Sequence, residues 1–231
     1  MTVAPLSVIV PVYNEAATIE TILRKVAATA IEKEIIVSDD GSSDGTSEIL
    51  ARLQRELPLQ VITHPRNMGK GRAIRSALER CRGGIILLQD ADLESDPQDY
   101  PRLLAPFADA ATTIVYGSRF LGRAERATSV HRLANWVITA MVNALFGSRL
   151  TDAETGYKVF RRAVAEGLPL RGNRFEFEVE FTCKVLRRGH RVIEIPVGYV
   201  RRSYQEGKKI GWRDGVYAVW VILCCRLNPR Y

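Results

Sequence analysis

A chain of 231 residues, 46% hydrophobic and 26% charged, is long enough to bury a full core as one α/β domain and too apolar to be disordered. Its net charge of +7 is uneven: residues 1–116 carry 12 basic and 16 acidic side chains, net −4, and residues 117–231 carry 21 and 10, net +11. An anionic partner therefore belongs to the second half, and without a nucleic-acid motif or an aromatic-interleaved basic stripe it reads as a phosphorylated ligand or an anionic membrane surface, not nucleic acid.

Leu6-Ser-Val-Ile-Val10 reads as a buried strand, reached from Met1 without a charged leader or long apolar stretch, so no signal peptide is expected. Pro11-Val12-Tyr13-Asn14-Glu15 turns it into a helix whose Ile19, Ile22, Leu23 and Val26 share a face, with Asn14 as the expected N-cap. Tyr13 and Glu15 serve either the turn and the helix dipole or a ligand at the strand's carboxyl end. Glu34–Ser38 is the second strand and runs into Asp39-Asp40-Gly41-Ser42-Ser43-Asp44-Gly45-Thr46. Asp44 suits the cap of the next helix; Asp39 and Asp40 suit the N–H and hydroxyl donors of a base or ribose.

The third strand, Leu59–His64, precedes Pro65-Arg66-Asn67-Met68-Gly69-Lys70-Gly71-Arg72, whose spacing is not that of a phosphate-binding P-loop. His64, before a proline, reads as structural. The fourth strand, Ile85–Leu88, breaks into Gln89-Asp90-Ala91-Asp92-Leu93-Glu94. On extended chain Asp90 and Asp92 point to one side and can share a hard divalent cation, with Glu94 next in register; the alternative is a solvated acidic loop. Strand–helix repetition of this kind predicts a mostly parallel sheet with right-handed crossovers, flanked by helices.

Thr112–Gly117 is a further strand, ending in Gly117-Ser118-Arg119-Phe120. The basic stretch Arg123–Arg132 leads into a helix carrying Trp136, Val137, Met141 and Phe146, read as an ordinary core helix. Thr151-Asp152-Ala153-Glu154-Thr155-Gly156-Tyr157-Lys158 follows, then an acidic helix start at Phe175–Glu180, a strand at Val192–Val197, and a basic close, Val200–Lys209. The apolar runs Trp136–Val142 and Val216–Cys225 fall short of the roughly 20 residues of a spanning helix, so the chain is expected to lie on a membrane and not to cross it. Cys81, Cys183, Cys224 and Cys225 lack zinc-type spacing, and a reduced, cytoplasmic setting follows.

Pro11-Val-Tyr-Asn-Glu15, Asp39-Asp-Gly-Ser-Ser-Asp-Gly-Thr46, Asn67-Met-Gly-Lys-Gly-Arg-Ala73 and Asp90-Ala-Asp92 resemble, in order and spacing, the motifs of family 2 glycosyltransferases of the Rossmann-like GT-A fold. Gly117-Ser-Arg-Phe120, Asp152 ahead of Gly156-Tyr-Lys158, and Arg202-Ser-Tyr-Gln-Glu-Gly-Lys208 narrow the resemblance to the dolichyl-phosphate mannose synthases and related polyprenyl-phosphate hexose synthases, over nearly the whole chain. It implies a single domain over 1–231, with a nucleotide-sugar and metal half at 1–116 and an acceptor half at 117–231. The donor would be GDP-mannose, or secondly UDP-glucose, and the acceptor a polyprenyl phosphate. Pro11, Tyr13, Glu15 and Asp39 would hold base and ribose, Asp40 and Lys70 would also bind substrate, and Asp90, Asp92 and Glu94 would surround Mg²⁺ or Mn²⁺ on the diphosphate. Arg119, Arg132, Arg202 and Lys208 suit the lipid phosphate, since guanidinium forks match its oxygens. Asp152 is the candidate base should the acceptor be a saccharide hydroxyl, which unlike a phosphate has a proton to lose. Attachment to the cytoplasmic face of a membrane, directly or through a membrane-anchored partner, completes the expectation.

Overall fold

The computed structural model describes residues 6–121, 129–200, 212–228 and 231. Seven strands form one sheet in the order β3-β2-β1-β4-β6-β5-β7: β1 (Leu6–Val12), β2 (Lys33–Asp39), β3 (Leu59–Thr63), β4 (Ile85–Leu88), β5 (Ile114–Ser118), β6 (Lys158–Arg161) and β7 (Val192–Pro196). All pairings are parallel except those of β6, which runs against both β4 and β5. This is the α/β domain with a mostly parallel sheet that the pattern predicts. The reversed strand is new: a lysine at its head and an arginine at its tail hide a two-residue apolar centre, Val159 and Phe160, from a periodicity reading.

Period-two alternation places the two faces of each strand in different layers. Val8, Val10, Val12, Ile35, Val37, Leu87 and Val159 pack with α1 (Ile19–Ala28), α2 (Thr46–Leu53) and α4 (Tyr100–Leu104). Ile9, Ile36, Ile86, Leu88, Ile114 and Phe160 face α3 (Lys70–Leu78), α6 (Arg162–Ala165) and α7 (Phe177–Arg187). A third cluster joins α7 to α5 (Ser129–Phe146) and α8 (Trp212–Leu227) through Ile138, Val142, Val179, Cys183, Val221 and Ile222. Each fully buried aliphatic side chain contributes on the order of 1.5–3 kcal/mol, so the sheet is a rigid platform for what its edge carries.

Two caps differ from expectation. Asn14 lies in the turn with φ 51°, and the helix begins only after Thr18. Asp44 does satisfy the Thr46 N–H at 3.1 Å, but Gly45, with φ 95°, is the residue at the cap. The expected core helix is half right: Ile138 and Val142 are buried, whereas Leu133, Trp136 and Val137 are 60%, 66% and 45% exposed. No helix among the described residues is long and apolar enough to cross a membrane.

Candidate active site

Because β1, β2 and β4 are adjacent and parallel, the segments that leave them emerge along one edge of the sheet, where ligands of such sheets bind. β5 runs the same way and adds Ser118 and Arg119. The reversed β6 presents its beginning at this edge, so Glu154–Lys158 meet the ends of the other strands. A Cβ on Gly156 would overlap the Asp90 carboxylate, so only glycine permits this approach.

The turns after β1 and β2 are stitched together. The Asn14 N–H donates to Ser42 Oγ at 2.9 Å, the Ser43 N–H to Asn14 Oδ1 at 2.8 Å, and the Glu15 N–H to Thr46 Oγ1 at 2.9 Å. Pro11 is buried in β1, and Tyr13 and Glu15 are half-buried beside the seam, Glu15 Oε2 accepting from the Thr18 hydroxyl at 3.0 Å. Asp39 is fully covered and accepts from the Ser42 N–H and the Ser47 hydroxyl. Asp40 is a correction. It is 2% exposed, and its oxygens take the Met68 and Gly69 N–H groups and the His64 ring. Three donors around one buried carboxylate make it the anchor of the turn before α3. His64, bridging Asp40 and Ser76, is structural as expected.

Beyond β4 the chain does not stay extended. Leu93 has φ 63°, a conformation that costs a non-glycine residue on the order of 1–3 kcal/mol, and it turns Glu94 out of register with Asp90 and Asp92. The Glu94 N–H donates to Asp92 Oδ1 at 3.1 Å, while its carboxylate accepts the Tyr199 hydroxyl. Among the described residues no three metal-ligating side chains stand together, so the expected Asp90–Asp92–Glu94 triad is not assembled, and Glu94 is turned toward Tyr199. The donor chemistry still fits a hard divalent cation, since Asp90 and Asp92 supply carboxylate oxygens: burial, then the charges of Asp90 and Glu94, lift the Asp92 carboxyl to about 7. Gln89, fully buried, fixes the loop: its Oε1 accepts the hydroxyls of Tyr100 and Tyr157, and its amide bonds the carbonyls of Asp90 and Ser95.

Lys70, the first residue of α3, lies 2.6 Å from Asp90 Oδ1 and 2.9 Å from Glu178 Oε1, and Lys158 Nζ meets Glu178 Oε2 at 2.7 Å. Burial works against the Lys70 charge, yet Asp90 and Glu178 overcome it and hold the ammonium above its ordinary value. Glu178 and Lys158 escaped sequence reasoning. Lys158 entered only as the end of the Gly156-Tyr-Lys158 motif and Glu178 only as part of the acidic helix start, and neither was given a role.

Arg119 and Asp152 also change role. Arg119 Nε and Nη2 form a two-pronged pair with Asp152 at 2.7 Å each, Asn135 adds a bond at 3.1 Å, and Asp152 is fully buried. The cation expected to take an acceptor phosphate is thus paired with the carboxylate expected to act as base. Glu154, two residues on, is the group that sequence reasoning passed over. It is half-buried, and burial pushes its carboxyl up to about 7 against the pull of Arg119. Arg132 is exposed on α5; Arg202 and Lys208 lie outside the described residues.

The profile of Glycosyl transferase family 2 matches residues 7–168. An undecaprenyl-phosphate mannosyltransferase of Micrococcus luteus is 29% identical over 241 residues, spanning 95% of this chain and 98% of that protein. An undecaprenyl-phosphate 4-deoxy-4-formamido-L-arabinose transferase of Photorhabdus laumondii is 32% identical over 209 residues, covering 87% of this chain and 62% of its own length. Among solved structures, glucosyl-3-phosphoglycerate synthase of Mycobacterium tuberculosis, crystallised with Mn²⁺, UDP and phosphoglyceric acid, superimposes with a TM-score of 0.77 over 98% of this chain and 80% of its own, at 20% identity, a likeness of fold.

Proposed function

The chain belongs to glycosyl transferase family 2 and has the GT-A fold, and from that premise we propose that it moves a hexose from a nucleotide sugar to a polyprenyl phosphate, inverting the anomeric carbon. The observation that carries the reading is the sheet edge where the Asp90–Asp92 pair and Lys70 meet, in a chain whose second half is strongly basic. Two relatives named for undecaprenyl phosphate support the acceptor class, and one of them, named a mannosyltransferase, favours mannose, with GDP-mannose before UDP-glucose as donor.

Tyr13 and Glu15, with Pro11 and Asp39 beneath them, receive the base and ribose. Residues 1–116 form the donor half and 117–231 the acceptor half, joined at the site by Lys70–Glu178 and by Asp90 against Gly156. An oxygen of the acceptor phosphate attacks the anomeric carbon in line as the bond to the nucleotide diphosphate breaks and its electron pair leaves on the diphosphate. Lys70 offers its ammonium to the developing negative charge. Asp90 and Asp92 would hold Mg²⁺ or Mn²⁺, which when bound supplies further charge neutralisation of the leaving group. A phosphate monoester, with a second pKa of about 6, is already a nucleophile at neutral pH and needs no base, which accords with the locked state of Asp152. Arg132, with Arg202 and Lys208, is assigned to the acceptor phosphate. The exposed apolar side chains of α5 and α8 support attachment to the cytoplasmic face of an anionic membrane, where a lipid acceptor would be met.

The test is transfer of radiolabel from GDP-mannose and from UDP-glucose, with and without undecaprenyl phosphate. Label should enter the organic phase only when the lipid is present; label found solely in a water-soluble saccharide would overturn the reading. One observation favours a second acceptor class: Glu154, with its carboxyl near 7, is suited to take a proton from a saccharide hydroxyl.

A further inference from the structure

A lysine at the first residue of a helix is misplaced by ordinary electrostatics, because that end of the helix is already positive. Lys70 occupies this position in α3 and is held there by carboxylates from elsewhere in the fold, Asp90 at 2.6 Å and Glu178 at 2.9 Å. Behind Glu178 lies Lys158, at 2.7 Å. The charges alternate from the cleft inward, and exposure falls along the row: the Asp90 side chain is 28% exposed, Lys70 16%, Glu178 7% and Lys158 0%. Lys158 is itself fixed by the carbonyl of Thr155 and by the face of the Tyr116 ring, 4.8 Å from its Nζ. Glu178 meets both ammonium groups at ion-pair distance although off the axis of a directional hydrogen bond, so charge, not hydrogen-bond geometry, links the row.

We infer that Glu178, anchored by Lys158, is a positioning residue that aims the Lys70 ammonium at the diphosphate of the nucleotide sugar. The inference rests on the function proposed above. An ammonium has three N–H donors; Asp90 and Glu178 flank the Lys70 nitrogen at ion-pair distance, and in the proposed complex its remaining side, together with the positive end of α3, would meet the anion. Glu178 stays with Lys70 when Asp90 is drawn to a cation, so the lysine keeps its direction while it exchanges one carboxylate for a phosphate oxygen. A neutral residue at 178 would leave Lys70 free to follow Asp90.

The test is a double-mutant cycle read by equilibrium binding of GDP and UDP, with GMP and UMP as controls. Glu178→Gln and Lys70→Met should each weaken diphosphate binding about tenfold, the scale of one charge-assisted hydrogen bond, and leave monophosphate binding nearly unchanged. Glu178→Asp, which keeps the charge but shortens its reach, should recover part of the loss. In the Lys70→Met background Glu178→Gln should cost nothing more, since a residue that acts through Lys70 has nothing left to position. Equal costs in both backgrounds would overturn the inference while leaving the proposed function standing. A wild-type protein that binds no nucleoside diphosphate would overturn both. Should Glu178→Gln fail to fold, the ammonium resonances of wild-type protein decide: that of Lys70 must shift on addition of GDP or UDP while that of Lys158 stays in place, and an unmoved Lys70 signal refutes the proposal.

Discussion

Glu154 stands in a turn whose other polar groups are spoken for. Thr151 and Asp152 give their N–H groups to Glu194, Ala153 gives its own to Thr139, and the Thr155 hydroxyl donates to the Gly117 carbonyl. Burial lifts the Glu154 carboxyl from its usual 4.5 to about 7. The unfolded chain therefore releases this proton first, the folded protein binds more protons between pH 4.5 and 7, and the stability contribution falls as pH rises through that window. Each unit of difference is worth about 1.4 kcal/mol before screening, so about 1–2 kcal/mol is at stake for this half-buried group. Glu154→Gln should flatten the pH dependence of the urea midpoint, with a residual slope from Asp92, also lifted to about 7. The same variant tests the acceptor: transfer to polyprenyl phosphate should persist within about tenfold, whereas loss of a true base costs about a hundred- to ten-thousand-fold. Asp92→Ala should abolish the tightening of nucleotide-diphosphate binding by Mn²⁺ and leave metal-free binding close to wild type. Calorimetric titrations with and without Mn²⁺ measure this, and a metal effect that survives the substitution would dismiss Asp92 as a ligand.

At the level of elements, β6 decides the shape of the site. Phe160 packs on Phe181 with ring centroids 4.7 Å apart and fastens the strand to α7, the helix that carries Glu178. Phe160→Ala should cost about 3–5 kcal/mol in urea unfolding and weaken nucleotide binding as well; a loss of stability alone would mean that α7 keeps its place without the contact. The remaining strands were legible because apolar runs ending in Gly, Asp or Pro are a local signal, and their shared direction followed from strand–helix alternation. Asp90 and Asp92 were legible for the same reason, as carboxylates where such a run stops. β6 was not, because Lys158 breaks its pattern and the compensation comes from Glu178, twenty residues away in α7. Nor could the sequence reveal that Asp152 faces Arg119 or that Leu93 reverses the chain before Glu94. Those facts depend on which segments the closed sheet brings together, and neither composition nor periodicity records that.

Across the whole molecule, charge and apolar exposure point the same way. The half with net +11 also carries the stripe Val216, Trp220, Leu223 and Leu227 on α8, at i, i+4, i+7 and i+11, and Leu133 and Trp136 beside Arg132 on α5. The inner faces of the two helices share one buried seam, so neither is short of packing, and the outer stripes are left to another partner. With the lipid acceptor proposed above, that partner would be the bilayer: basic side chains would draw the protein to anionic headgroups, and the apolar stripe would enter the interface. The two contributions separate experimentally. Electrostatic attraction is screened over about 8 Å at physiological ionic strength and weakens further in high salt, whereas apolar insertion does not. Flotation with anionic liposomes should therefore fall, but not vanish, as salt is raised toward about 0.5 M, and Trp136→Glu with Trp220→Glu should remove the salt-resistant fraction. Both residues are at least 48% exposed, so the double variant should fold and bind nucleotide as wild type does. Its apparent Michaelis constant should rise for undecaprenyl phosphate in vesicles and stay unchanged for a short, water-soluble polyprenyl phosphate, because only the first substrate requires the protein to sit on a surface. Unaltered flotation of the double variant would instead assign membrane attachment to side chains other than Trp136 and Trp220, and failure of the wild type to float even at low salt would assign it to a separate anchoring protein.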